Sequence, residues 1–324
     1  MTLESVIGNG PVKELLCRTL KSDRIGHAYI IEGKRGVGRM TIAKAFSAEI
    51  LQTENPETHP DFTIVTNQLY DSSKKQDNVL VDTIRCLKKD AYIRPYMGDR
   101  KIYIIPNADT MLSPAQNSLL KIFEEPPQYC TIILLCENAN AFLPTILSRA
   151  PVLRLHPLSN DEVYDYLISQ KGIEQNLARQ LSILSEGAIG RALELFDDQD
   201  VIQLRDETLN SFIPIFNGDY KELYDFIRYL KKNKAEISFI MNVIQSVSQD
   251  IMHLKFKIGD ICNADKQEQI TTMCNSITRE AALRFNEISI KYKKFIEQNA
   301  NYPAAVLCMA TEFWEEIHGR NYRS

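Results

Sequence analysis

The sequence contains no apolar run that approaches the roughly 20 residues of a membrane-spanning helix, and its N-terminus lacks the pattern of a targeting segment. Its seven cysteines include no C-x-x-C pair, and their odd number predicts reduced thiols in the cytoplasm. There is also no excess of one charge sign, with 38 Lys and Arg against 42 Asp and Glu. No global field would therefore draw the chain to DNA or to an anionic membrane, which argues against a stand-alone nucleic-acid binder.

The segment from Lys101 to Pro127, KIYIIPNADTMLSPAQNSLLKIFEEPP, predicts a strand, a loop and a helix. Its apolar run Ile102–Ile105 is short and rich in β-branched side chains, which is typical of a strand buried on both faces. Pro106 and Asn107 end this strand at its carboxyl end, where open α/β sheets place their ligand chemistry.

A helix is predicted after the loop. Ser113 has the pattern of a capping residue, Pro114 that of the first helical position, and Gln116 that of a capping-box partner. Apolar residues then recur at helical spacing until Pro126 ends the helix. By its pattern alone, this is the strand, loop and helix of any α/β domain.

A glycine-rich loop follows another predicted buried strand, Ala28 to Ile31, and precedes a helix from about Arg39 to Leu51. This order of strand, glycine loop and helix is the context that a P-loop requires. We therefore predict that this loop derives from a nucleotide-binding P-loop. Its candidate residues are Gly33, Gly36, Gly38 and Arg39.

The P-loop pattern G-x-x-x-x-G-K-[ST] is incomplete. Arg39 replaces the lysine. The arginine side chain is longer, and its planar guanidinium directs its N–H groups differently from the ammonium group of lysine. Met40 replaces the hydroxyl residue that would coordinate magnesium, and a thioether is a poor ligand for a hard cation. The alternative is that both replacements are tolerated in a working ATPase.

The exact amino-acid sequences of several segments are more specific than their hydrophobic patterns. AQNSLLKIFEEPP, GHAYIIEG and VDTIRCLKKDAYIRPYMGDRKIYII resemble the AAA+ clamp-loader proteins of bacterial DNA replication. In that family the buried strand ends in Asp-Glu, which holds magnesium and polarises water, whereas the matching positions here are Pro106 and Asn107. The chain thus resembles the delta-prime class of clamp-loader subunits more than the ATP-hydrolysing gamma/tau class.

This resemblance implies an α/β plus all-α architecture. Residues 1–158 would form an AAA+ (P-loop, RecA-like) core with a parallel sheet, residues 159–204 a small helical lid, and residues 205–324 a helical collar. The lid segment SEGAIGRAL resembles the sensor-2 motif, which would make Arg191 a further candidate for the nucleotide cleft.

The resemblance also bears on cofactors. Family members carry four cysteines after the P-loop helix, but the corresponding interval QTENPET has none, and His59 alone cannot bind zinc tightly. We therefore expect no zinc and no magnesium site, no required cofactor, and at most weak ATP or ADP binding.

The segment LPTILSRA resembles the clamp loaders' Ser-Arg-Cys motif, with Ala150 in place of the cysteine. The resemblance implies that Arg149 is an arginine finger that acts in trans on a neighbouring subunit; the alternative is a surface arginine at a helix end. Asn138 follows another buried strand and could be a polar sensor residue or could only cap its loop.

The resemblance implies a non-hydrolysing clamp-loader subunit of the DNA polymerase III holoenzyme, a DNA-directed DNA polymerase. Its expected partners are gamma/tau-like ATPase subunits and a delta subunit, with the sliding clamp and primed DNA reached through the complex and no membrane involved. Two alternatives stay open: an active gamma/tau-like ATPase, and an inactive AAA+ adaptor outside replication.

Overall fold

The computed structural model describes residues 2–70, 78–259, 261–298 and 301–319. Its strands form one parallel sheet in the order β2-β3-β4-β1-β5, which confirms the predicted parallel α/β core. Their bounds are β1 Ala28–Glu32, β2 Phe62–Ile64, β3 Lys101–Ile105, β4 Cys130–Cys136 and β5 Val152–Arg154.

Helices cover both faces of this sheet. They are α1 Gly10–Lys21, α2 Arg39–Ile50, α3 Asn67–Tyr70, α4 Val81–Ala91, α5 Ser113–Glu124 and α6 Pro144–Leu147. Because successive strand residues point to opposite faces, Tyr103 and Ile105 pack in the apolar cluster that contains residues of α4 and α5. Ile102 and Ile104 pack in the cluster on the other face, with residues of α1 and α2.

The remaining described elements are α-helices and short 3-10 turns, as the sequence predicted for the C-terminal part. The helices are α7 Asn160–Lys171, α8 Gln175–Leu184, α9 Ile189–Asp197, α10 Gln199–Phe212, α11 Tyr220–Lys232, α12 Ile237–Phe256, α13 Gln267–Ser276, α14 Arg279–Glu297 and α15 Tyr302–His318. Within the described parts of the chain, no helix combines the length and apolar character that a membrane crossing requires.

Two compact units divide the chain. The first comprises Met1–Glu162 with Gly187–Arg191, and the second comprises Val163–Glu186 with Ala192–Ser324. In the second unit, the Phe212 ring lies 5.7 Å from the Phe313 ring, centroid to centroid, in a buried aromatic core. The finer division into core, lid and collar stays a prediction.

The predicted capping of α5 was wrong in its details. The helix does begin at Ser113, but its N-cap is Leu112, which has no side chain able to cap the helix. Gln116 does not reach back to the helix start as a capping-box partner, because its amide is turned into the protein interior and bonds other segments.

A buried carboxylate holds the loop before β3. The Asp61 side chain is fully buried and accepts hydrogen bonds from the backbone N–H groups of Tyr96 at 2.6 Å, Met97 at 2.9 Å and Gly98 at 3.2 Å. His59 accepts the Asp61 N–H at 3.1 Å, so this histidine has a structural partner. Burial acts to raise the pKa of Asp61, but these donors outweigh it and hold the pKa below its usual value.

We predict that Asp61→Asn destabilises the protein by roughly 1–3 kcal/mol at pH 7, because the amide cannot accept all three N–H bonds. A lowered folded-state pKa adds stability above the unfolded value near pH ~4 and loses it as the pH falls through the folded value. The deficit of the variant should therefore shrink in acid. Urea unfolding at several pH values measures this.

Asp99→Asn is the matched control, since Asp99 is exposed in the same loop. Equal unfolding midpoints for Asp61→Asn and the unmodified chain at pH 7 would show that the three bonds contribute nothing net.

Candidate functional site

The predicted P-loop lies where the sequence placed it, between β1 and α2. Gly36 and Gly38 adopt left-handed backbone angles, with φ of +83° and +97°. Helix α2 begins at Arg39, so the loop ends at a helix N-terminus. Since all strands of the sheet are parallel, this loop lies at the carboxyl end of the sheet, meaning the end at which the strands terminate.

The segment Gly187–Arg191 packs against the tip of the P-loop. The Gly190 N–H donates to the Gly36 carbonyl oxygen at 2.9 Å. A Cβ added to Gly36 would lie 2.8 Å from the Arg191 nitrogen, so only glycine permits this approach. Backbone atoms therefore make the contact between the two segments. The role of the Arg191 side chain in a nucleotide cleft stays a prediction.

Arg39 and Met40 both have partners inside the protein. The Arg39 side chain is only 11% exposed, and its Nη2 lies 3.6 Å from Oε1 of Glu137, just after β4. Its Nη1 is buried without a hydrogen-bond partner among the described residues. Met40 packs against the apolar cluster of α1 and α2. At the P-loop positions that normally bind phosphate and magnesium, one side chain thus faces a carboxylate and the other is partly buried against the apolar core.

The end of β3 offers no carboxylate at the positions of the family's Asp-Glu pair. Asn107 adopts a left-handed conformation, with φ of +48°, and its carbonyl accepts the Thr110 hydroxyl at 2.7 Å. The nearby Asp109 carboxylate is engaged elsewhere: its Oδ2 accepts the Glu137 N–H at 2.9 Å. Asp109 therefore holds the end of β4 in place.

Asn138 caps the turn that follows β4. Its Oδ1 accepts the Asn140 N–H at 2.9 Å, which is the capping alternative that the sequence left open. Just before it, burial and the carboxylates of Asp109 and Glu32 raise the pKa of the Cys136 thiol to about 12. This cysteine is therefore an unreactive thiol at neutral pH.

The residues around the P-loop do not fit a magnesium ion. Hard cations require several oxygen ligands, and the residue types at positions 40 and 106 supply no side-chain oxygen. Across the described residues, no group of three or more His, Cys, Asp or Glu side chains is placed to hold a metal.

Arg149 lies at the other end of the sheet. Helix α5 leaves the carboxyl end of β3 and runs back, ending at Glu124, before β4 begins. The His27 ring, immediately before β1, lies 6.1 Å from the Phe123 ring, which locates the end of α5 beside the start of β1. Arg149 Nη2 is 3.4 Å from Glu124 Oε1, so the guanidinium is at this amino end.

The P-loop and Arg149 are thus separated by at least the length of β1. Five strand residues span on the order of 16 Å. The Arg149 side chain is 35% exposed, and its Nη1 donates to the Thr145 carbonyl at 3.0 Å. This guanidinium is accessible to solvent and remote from the P-loop of its own chain.

The sequence predicted that Gln116 would cap α5, but its side chain lies in the protein interior. Its side chain is 3% exposed, and its Nε2 donates to the carbonyls of Met111 at 2.9 Å and Ala141 at 3.0 Å. Its Oε1 accepts the Leu143 N–H at 2.8 Å. The amide therefore ties α5 to the segment that leads into Arg149. Its place on the apolar face of the helical pattern could have indicated that Gln116 is buried. Its partners Ala141 and Leu143 could not have been predicted, because they are distant in sequence.

The strand order, the glycine-rich loop after β1 and the helix that begins at its end define an α/β protein with an open parallel sheet and a loop at the P-loop position. A family model described as DNA polymerase III, delta subunit, matches residues 8–159. The delta' subunit of DNA polymerase III from Bacillus subtilis is 29% identical over 315 residues, covering 90% of this chain and 91% of that protein.

The tau/gamma subunit from Haemophilus influenzae is 24% identical over 288 residues, covering 84% of this chain and 41% of that protein. Among solved structures, a gamma subunit-related protein from Thermotoga maritima has a TM-score of 0.47 at 16% identity, covering 94% of this chain and 99% of its own. The chain is thus similar to delta-type clamp-loader subunits of DNA polymerase III, through a family model over residues 8–159 and through a curated relative along most of its length.

We predict that Gln116→Ala destabilises the protein by about 1–3 kcal/mol or more, because it leaves buried backbone groups without partners. Asn117→Ala is the matched control, since Asn117 is an exposed neighbour on the same helix. Thermal unfolding of both variants tests this. If they melt alike, the Gln116 amide is not a structural junction.

Proposed function

We propose that this chain is a clamp-loader subunit of DNA polymerase III that hydrolyses no ATP itself and completes the active site of a neighbouring ATPase subunit. Its partners would be gamma/tau-like ATPase subunits and a delta subunit in the cytoplasm. Through that complex it would help to load the sliding clamp onto primed DNA. The single observation that carries this proposal is the location of Arg149 at the amino end of the sheet, remote from the P-loop of its own chain.

The loss of hydrolysis is supported by the partners of the P-loop residues. Arg39 faces Glu137, and Met40 is partly buried against the apolar core. Pro106 and Asn107 stand where the family carries two carboxylates. Without protein ligands, magnesium cannot be held against the β- and γ-phosphates as phosphoryl transfer requires. The active gamma/tau-like alternative needs these groups, so it is disfavoured.

The loop retains one feature needed for weak binding of ATP or ADP, since glycine N–H groups at a helix N-terminus attract phosphate. Gly33, Gly36, Gly38 and Arg39 are the residues that would contact such a nucleotide, with Arg191 on the neighbouring segment. No chemical step is assigned to them.

A role for Arg149 in trans is supported by its exposure and its distance from its own P-loop. During phosphoryl transfer, negative charge spreads over the transferred group, and a guanidinium stabilises that charge with several N–H donors. An arginine that cannot reach a nucleotide on its own chain can reach one bound by a subunit docked at the amino end of the sheet. The alternative of an inactive adaptor outside replication gives no reason for such an arginine.

We predict that the purified chain releases no phosphate from ATP, because its site lacks the magnesium ligands described above. Arg39→Ala is the control that sets the background. Steady-state phosphate release that is higher for the unmodified chain than for Arg39→Ala would contradict the non-hydrolysing assignment.

We predict that Arg149→Ala lowers ATP turnover in a complex reconstituted with its ATPase and delta-like subunits. Arginine fingers contribute about 10³- to 10⁵-fold at the site they serve, and the loss in total turnover should be smaller where other ATP sites continue to work. Clamp- and DNA-stimulated turnover and clamp loading are the measurements.

Arg85→Ala is a matched control, because Arg85 is an exposed arginine on α4, with its side chain 64% exposed. If the Arg149→Ala complex assembles and both of its rates equal those of the Arg85→Ala complex, Arg149 is a surface arginine without a role in trans.

A further inference from the structure

Helix α5 ends in two acidic residues, Glu124 and Glu125. The carboxyl end of a helix carries a partial negative charge, so acidic side chains are disfavoured there. Lys121 is the basic residue in the last turn of the helix. Helix stability alone therefore gives no reason for two acidic residues at this position, and their contacts have to be considered separately.

The two carboxylates differ in their surroundings. Glu124 Oε1 lies 3.4 Å from Arg149 Nη2. Glu125 has no ion-pair partner among the described residues, and it is its backbone carbonyl that accepts the Tyr92 hydroxyl at 3.4 Å. Adjacent positions on one helix end thus carry the same charge, and one of them contacts the arginine that we assign to the neighbouring active site.

The Arg149 guanidinium is held at two of its nitrogens. Nη2 faces Glu124, while Nη1 donates to the Thr145 carbonyl at 3.0 Å and lies 3.4 Å from the Ser148 hydroxyl. Contacts at both nitrogens orient the plane of the guanidinium and not only its position. The Arg149 side chain nevertheless remains 35% exposed.

We propose that Glu124 is a positioning residue for Arg149, which holds the guanidinium in the orientation that a neighbouring subunit's phosphate requires. This inference rests on the proposed function of Arg149 in trans. The ion pair is exposed on both sides, at 35% and 51%, so it contributes little to folding. Its effect is on the conformations of a long side chain, whose freedom would otherwise be lost when the active site assembles.

The test is a set of variants in the complex reconstituted with the ATPase and delta-like subunits: Glu124→Gln, Arg149→Ala, the double variant, and Glu125→Gln as the matched control. We expect Glu124→Gln to lower the turnover that depends on Arg149 about two- to five-fold, the rate equivalent of an exposed ion pair. The KM for ATP should stay unchanged, because in this proposal Glu124 acts only through Arg149, which it contacts.

Non-additivity is the signature of a residue that acts through another. The double variant should match Arg149→Ala alone, Glu124→Asp should recover part of the rate, and Glu125→Gln should behave as the unmodified complex. Free Glu124→Gln should melt at the same temperature as free Glu125→Gln, since both remove one charge from the same helix end.

Four outcomes would overturn the inference. Glu124→Gln could keep full turnover while Arg149→Ala loses it, which leaves the proposed function intact. The double variant could fall below Arg149→Ala, or Glu124→Gln alone could melt lower, and either result makes Glu124 an independent structural residue. If Arg149→Ala itself has no effect, the proposed function fails and this inference fails with it.

Discussion

The burial of β3 and β4 along their whole length is the constraint on which the α/β unit depends. Every residue of these strands is buried, including Lys101, whose Nζ lies 3.1 Å from Asp90 Oδ1. Strands covered on both faces leave no room for solvated polar groups between their ends. Polar contacts in this part of the molecule are therefore concentrated at the two ends of the sheet.

The two ends of the sheet carry different chemistry, and α5 joins them. Near its start, the buried Gln116 amide bonds the segment after β4. At its last residue, Glu124 contacts Arg149. Twelve helical residues span about 18 Å, which is comparable to the length of a strand. One helix thus connects the end of the sheet that carries the P-loop to an exposed arginine at the opposite end.

At the carboxyl end of the sheet, contacts within the protein engage several of the polar groups around the P-loop. Glu137 faces Arg39, Asp109 holds the N–H of Glu137, and the Gly36 carbonyl accepts the Gly190 N–H. Buried polar groups are costly without partners, so a site that has lost its metal ligands is more stable when internal groups replace them. The P-loop therefore takes part in the packing of the α/β unit, through the hydrogen bond from the Gly190 N–H to the Gly36 carbonyl.

The sequence by itself determined the strands β1, β3 and β4, the position of the P-loop, and the residue types at positions 39, 40, 106 and 107, because short apolar runs, glycine spacing and residue type are local properties. It also indicated the similarity to clamp-loader proteins, since that signal lies in the order of residues. Only the tertiary structure decided that Gln116 bonds residues 25 and 27 positions away rather than capping its helix. It alone brought Glu124 to Arg149 and Glu137 to Arg39, because those pairs are far apart in sequence and meet only when parallel strands align their ends.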